Sequence, residues 1–397
     1  MRWILTTLAL TGMVGCNIGT VQEAKVESHK RWNHSRAQVL CGVAAEHLRV
    51  GQLDQARLKA AEALSMEQDC VPARLLLAKV LIEQGQYAQA SEELTKLRLQ
   101  VPDSPDVVYL LGVAQEKDGK LEEALALYRR VHAMDASNME SVMACGEVLV
   151  ALGQVREAQH QVESYLGLAE TDPGMHELAG RLAMMNHEYD KAARYYQHAS
   201  DLDSKNFRYR ESLGCARFRA GQYAEAVEAL TALTEVKDRK TPAWVYTMIG
   251  DSYMAMGRWH NARIAYDAAA DRAADSAEAW INVAKAALSA GEESRSVQAA
   301  RRALQLETGS IDAVLLLGYA LLRDRQVTRA ISELTQAVAA HPGSGTLRCL
   351  LGKAYAAAGN VGEAVRWYAD ALKVEPGSAL ARELLAAAGG KETTRTR

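Results

Sequence analysis

The chain has 397 residues, of which 49% are apolar and 24% charged, with a formal net charge of −3. That balance belongs to a folded protein rather than a disordered one, and the slight acidity argues against a nucleic-acid partner, which would call for a basic face. The length allows two ordinary globular domains or one elongated repeat array.

The first segment in chain order has a charged start and a short apolar run. Arg2 is followed by an apolar run from Trp3 to Val14 and then by Gly15-Cys16. The run is too short to span a bilayer as a helix. A positive start, a short apolar stretch and a small residue before cysteine resemble a bacterial lipoprotein signal peptide, residues 1–15, with cleavage before Cys16. The resemblance implies lipidation of Cys16, palmitate among the acyl chains, and a tether to the cell envelope. Several acyl chains, at about 0.8 kcal/mol per buried CH₂, anchor stably where one is marginal. Asn17 in place of Asp implies the periplasmic face of the outer membrane, by likeness to the common sorting rule. The polar residues up to 36 are expected to be a flexible linker after the lipidated N-terminus (16–36).

From residue 37 the chain repeats. Glycines at 51, 85, 119, 153, 221, 257, 291 and 359 fall in one register, with His187 and Arg325 in its two vacant places. The steps are 34 residues, except for 36 between Gly221 and Gly257. On both sides of each turn, apolar residues recur at three- and four-residue spacing, which predicts two amphipathic helices per unit. Seven residues before the turn stands Gly or Ala in every unit: Ala44, Ala78, Gly112, Gly146, Gly180, Gly214, Gly250, Ala284, Gly318 and Gly352. A mid-helix Gly costs about 1 kcal/mol relative to Ala, so close approach of the two helices is the expected compensation. Five residues after the turn comes Ala in nine units and Ser296 in the eighth. All seven prolines fall at joints between units or in the first turn of the next helix, where a missing N–H does no damage.

A 34-residue helix-turn-helix with these small residues resembles the tetratricopeptide repeat. The fullest match is 345–376, with Gly352, Tyr355, Gly359, Ala364, Tyr368, Ala371 and Pro376 in the family's places. The resemblance implies an all-α fold: a right-handed superhelical solenoid of ten repeats over 37–376, closed by a C-terminal capping helix over 377–388. The polar tail 389–397 is expected to be disordered. The two extra residues, within TEVKDRKT at 234–241, predict a longer loop and a slight break in regular curvature.

Catalytic and metal patterns are missing. The chain has no H-E-x-x-H, G-x-S-x-G or C-x-x-C, and the repeats leave no room for a catalytic domain, so a non-enzyme without cofactor or metal is expected. Met184-Met185 near a helix end reads as core filler. Cys41 and Cys70 lie at the two ends that a helical hairpin brings together. A disulfide there and two small buried apolar residues are both open readings.

Arrays of this family hold a peptide or protein in a groove lined by the second, fifth, ninth, twelfth and thirteenth residues of each unit. By that resemblance, repeats three to seven contribute Tyr109, Met143, Glu177, Arg181, Met184, Arg208, Glu211, Phe218, Arg219, Trp244 and Asp251. Met, aromatics and Arg suit a protein ligand. No repeat carries the fifth-position Lys of chaperone-tail clamps, and only Asn282 occupies the place of the Asn ladder found in glycosyltransferase-linked arrays. The expected function is an envelope-tethered scaffold for a protein or peptide partner, in assembly of a secretion, pilus or exopolysaccharide-export complex. A cytoplasmic adaptor and an accessory subunit of an envelope enzyme are the alternatives. Nothing in the sequence fixes an oligomeric state.

Overall fold

The computed structural model describes residues 18–237 and 240–395, with side chains over 22–237 and 240–388. The leader and Cys16 lie outside the described residues. Among the described residues there are twenty-one helices and no strand, the all-α repeat fold expected from the register. By contacts the chain divides into two units, residues 1–170 and 171–397.

The first unit holds α1 (Ile18–Arg49), α2 (Leu53–Met66), α3 (Val71–Glu83), α4 (Tyr87–Gln100), α5 (Pro105–Lys117), α6 (Leu121–Met134), α7 (Met139–Ala151) and α8 (Val155–Tyr165). The second holds α9 (Pro173–Met185), α10 (Tyr189–Leu202), α11 (Phe207–Arg219), α12 (Tyr223–Thr234), α13 (Ala243–Ala255), α14 (Trp259–Arg272) and α15 (Ala277–Ala290). It continues with α16 (Glu293–Leu306), α17 (Ile311–Arg323), α18 (Val327–Ala340), α19 (Gly345–Ala357), α20 (Val361–Val374) and α21 (Ala379–Arg395). Within each unit every helix packs on the next, and first helices of successive repeats also touch, as α1 with α3, α3 with α5, and α17 with α19.

The turns follow one design. Each turn residue has a left-handed backbone, at φ between 70° and 81° for the glycines. After it, an N–H reaches back five residues, as from Gln86 to the Leu81 carbonyl at 2.8 Å. This is the Schellman closure of a helix C-terminus. His187 and Arg325 adopt the same conformation, at φ 62° and 60°. The missing glycine therefore leaves the turn intact and leaves the Cβ strain in place. At His187 the ring Nδ1 lies 2.8 Å from the Tyr189 hydroxyl.

The small residues do what their recurrence required. The nine alanines and Ser296 that follow the turns are all fully buried, and Ser296 donates to the Ala284 carbonyl at 2.9 Å. In the first helix, the glycine faces a large side chain of the second. A Cβ on Gly112, Gly180, Gly250 or Gly352 would lie within 2.9 Å of the ring of Tyr128, Tyr196, Tyr266 or Tyr368. Leu230 and Leu334 press on Gly214 and Gly318 in the same way.

Residues 18–36 belong to α1 and are not a flexible linker. No Gly or Pro interrupts 20–41, and an Arg31–Glu27 pair one turn apart, at 3.5 Å, supports the helix. Residues 22–36 are nonetheless almost wholly exposed. At the other end α21 runs on to Arg395, past the Ala388 limit expected for the cap, because no proline cuts its hydrogen-bond ladder. The insertion near 234–241 lengthens the α12–α13 joint, where Thr241 donates to the Leu233 carbonyl at 3.2 Å. The division between compact units falls after Glu170. There α8 has 11 residues, where the second helices on either side of it have 14, and Gly167 follows its end.

Candidate functional site

In the second unit, α13 and α15 face each other across a depression of about 390 Å³. Trp244, Thr247, Met248 and Asp251 line it from α13, and Glu278, Ala279 and Asn282 from α15. Of the residues expected from the sequence, it brings together Trp244 and Asp251. Trp244 is 40% exposed, a large ring left in water at a concave site. Asp251 is partly engaged, since its carboxylate accepts from the Tyr266 hydroxyl at 2.5 Å. Burial first, then this acidic neighbour, pushes the Tyr266 phenol above its ordinary range. Asp251 thus fixes a ring of the hairpin core and also shows charge to the depression.

The other candidates of this unit sit on α9 and α11. Glu177, Arg181 and Met184 are half-buried, and so are Glu211 and Phe218, while Arg208 and Arg219 are exposed. Met184 packs against the buried cluster that includes Ala192, Ala193, Tyr196 and Leu213. Met185 is 44% exposed, so the core-filler reading holds for one methionine of the pair. Phe218 meets Tyr223 edge to face at 5.6 Å between centroids and serves its own hairpin.

In the first unit, Tyr109 and Met143 are half-buried. Tyr109 lies 5.3 Å from the Tyr128 ring, and burial, with Glu140 and Glu116 nearby, raises its phenol pKa. Tyr128 in turn donates to Glu116 at 2.8 Å. Neither Tyr109 nor Met143 lines a depression of about 560 Å³ in this unit, which lies among Leu48, Leu53, Lys79, Ile82, Glu83, Leu110 and Val113. Leu48, Lys79, Ile82 and Glu83 were missed because the groove positions were applied to repeats three to seven alone; Val113, the ninth residue of repeat three, was passed over within that range, and Leu53 and Leu110 stand at no groove position. The same positions in repeats one to three yield Leu48, Lys79, Ile82, Glu83 and Val113.

Among the described residues, no cluster of three or more His, Cys, Asp or Glu side chains could hold a metal ion, and no helix is long and apolar enough to cross a membrane. The described cysteines are free thiols, Cys41 and Cys70 included.

Family models described as Tetratricopeptide repeat match residues 47–113 and 321–388 and residues 247–311. A model described as Anaphase-promoting complex, cyclosome, subunit 3 matches residues 117–199. Among curated proteins, the chain is 26% identical over 203 residues to Protein O-mannosyl-transferase TMTC1 of Homo sapiens, covering 49% of this chain and 22% of that protein. It is 24% identical over 182 residues to Cellulose synthase 1 operon protein C of Komagataeibacter xylinus, covering 43% of this chain and 14% of that one. The chain therefore spans less than a quarter of either relative. Among solved structures, it is similar to the C-terminal part of a TPR repeat-containing protein from Cytophaga hutchinsonii. That likeness has 13% identity and a TM-score of 0.47, over 70% of this chain and 99% of the other. With the register, the left-handed turns and the glycine-on-tyrosine contacts, the family-model matches identify the chain as a member of the tetratricopeptide-repeat family.

Proposed function

We propose that this protein is a non-catalytic scaffold that holds a segment of a protein partner against its first helices, tethered at the bacterial cell envelope. The observation that carries the binding role is the depression between α13 and α15, where Trp244 and Met248 offer apolar surface beside Asp251, Glu278 and Asn282. An exposed aromatic ring beside carboxylates and an amide suits a peptide with one apolar anchor and a neighbouring basic or amide group. The apolar walls among Leu48, Ile82, Leu110 and Val113 offer a second anchor point in the first unit.

The envelope role rests on the N-terminus. Arg2, the run to Val14 and Gly15-Cys16 have the order of a lipoprotein leader. The name of one relative, Cellulose synthase 1 operon protein C, is in keeping with exopolysaccharide export as the pathway served. Expression in a bacterial host tests the tether. The wild-type chain should partition into detergent and incorporate labelled palmitate, and Cys16→Ala should do neither. Equal partitioning of the two would refute the lipid anchor and leave the groove to be judged by its own binding experiment.

A further inference from the structure

Two of the cysteines meet inside the first repeat. Cys41 lies on the packed half of α1, and Cys70 immediately precedes α3, where its carbonyl accepts from the Arg74 N–H at 3.1 Å. Their sulfurs are 3.9 Å apart, in a cluster with Ala37, Leu40, Ala63 and Ala73. They are 7% and 4% exposed. Between them the chain runs through the end of α1 and the whole of α2, 29 residues on. Cys145, Cys215 and Cys349 belong to repeats four, six and ten.

We propose that Cys41 and Cys70 are a disulfide-forming pair, and that closing it staples the first repeat of the array. A disulfide brings its sulfurs to about 2.05 Å, so two thiols already in contact need to close by less than about 2 Å. The position gives the bond a purpose. In a linear array each repeat is supported by its neighbours, and an end repeat packs on one side only, so the ends open first. Joining α1 to the start of α3 removes the opened configurations of the loop that contains α2.

The step balances with a small-molecule disulfide as oxidant. The Cys41 thiolate attacks oxidised glutathione, forming a mixed disulfide and expelling one glutathione thiolate. The Cys70 thiolate then attacks the Cys41 sulfur and expels the second. Two cysteine thiols are oxidised, one glutathione disulfide is reduced, and the two thiol protons pass to the released glutathiones. Burial, then the neighbouring Cys70 and the Glu67 carboxylate, push the Cys41 thiol up to about 12. Little of it is ionised at neutral pH, so closure should be slow there and faster in alkali. The same burial shields the finished bond from reductants. The pair lies wholly in the first repeat, and its closure depends neither on the groove nor on the lipid tether.

The test uses the full chain, purified reduced and then incubated with oxidised glutathione. Peptide mapping without reduction should yield one crosslinked species joining Cys41 to Cys70, and alkylation after denaturation should still label Cys145, Cys215 and Cys349. Amide exchange in α1 and α2 should slow by about tenfold or more on oxidation. Cys70→Ala and Cys70→Ser should each show neither the crosslink nor the slowing, with helicity checked by circular dichroism. Stable mixed disulfides with glutathione in place of the crosslink would overturn the pairing. A crosslink formed without any change in α1–α2 exchange would overturn the staple.

Discussion

Replacing Gly250 by Ala tests the packing rule on which every repeat is built. Gly250 lies midway along α13, and a Cβ there would stand 2.6, 2.7 and 2.9 Å from Cε1, Cδ1 and Cζ of Tyr266. Carbon atoms rest about 3.5–4.0 Å apart, so the ring would have to move by about an ångström. It has little freedom to do so, being 4% exposed and held through its hydroxyl by Asp251 at 2.5 Å. Overpacking of this kind costs about 1–3 kcal/mol, and the better helix propensity of Ala returns about 1 kcal/mol. Gly250→Ala should therefore destabilise the second unit by up to about 2 kcal/mol. Gly42, in α1, has nothing within 4 Å of its added Cβ. There the same change should stabilise by about 0.5–1 kcal/mol. Urea midpoints by circular dichroism, with amide exchange resolved to α13–α14 and α1, measure both. In a Tyr266→Ala background the penalty of Gly250→Ala should vanish. A rise in stability at Gly250 as large as that at Gly42, or a penalty that persists without the ring, would refute the glycine-on-tyrosine account.

Three further outcomes are expected. Arg325→Gly should raise the urea midpoint, by about 0.5–1 kcal/mol in stability, because a β-carbon at φ 60° is strained; a loss of stability would mean that the Arg325 side chain contributes more than the strain removes. Leu334 is fully buried against Gly318, and Leu334→Ala should cost about 2–5 kcal/mol, read by the same titration. Asp370 accepts from Arg348 at 2.9 Å, and this bond holds its carboxyl below the ordinary value. A carboxyl with a depressed native pKa contributes fully above the unfolded value, about 3.9, and loses that contribution as pH falls through the native one. The stability gap between wild type and Asp370→Asn should therefore be constant near neutrality and close in acid, and a gap unchanged down to the acid transition would remove Asp370 from the account.

The repeat register was legible because it rests on backbone demands that few residues meet. A left-handed turn wants Gly, and eight of ten turns have it; a crossing under a tyrosine ring wants Gly, and four have that pair. His187 and Arg325 show that the Schellman hydrogen bonds carry the turn even without glycine. Other features depend on distances that spacing does not encode. The hairpin order put Cys41 near Cys70, but only coordinates place the sulfurs 3.9 Å apart. The polar stretch before residue 37 read as a linker by composition, yet exposed polar residues free of Gly and Pro make a helix as readily as a coil. The early end of α8 was signalled by Gly167, a single residue that the 34-residue spacing passes over. Trp244 lines the depression between α13 and α15 at the position the repeat register gave it. The walls Leu48, Ile82 and Val113 were accessible by the same positions in the first repeats, whereas the structural duty of Asp251 required the Tyr266 hydroxyl to be seen on it.

Whether the first-helix face holds a partner is tested most directly by site-specific photocrosslinking in cells. A photoreactive residue replacing Thr247, inside the depression between α13 and α15, is compared with one replacing Arg302, exposed on the second helix α16. A groove site requires one discrete adduct from position 247, mapped to a single segment of one protein and lost when Trp244→Ala is added. Adducts that form from position 302 alone, or that persist at position 247 without the Trp244 ring, would contradict it.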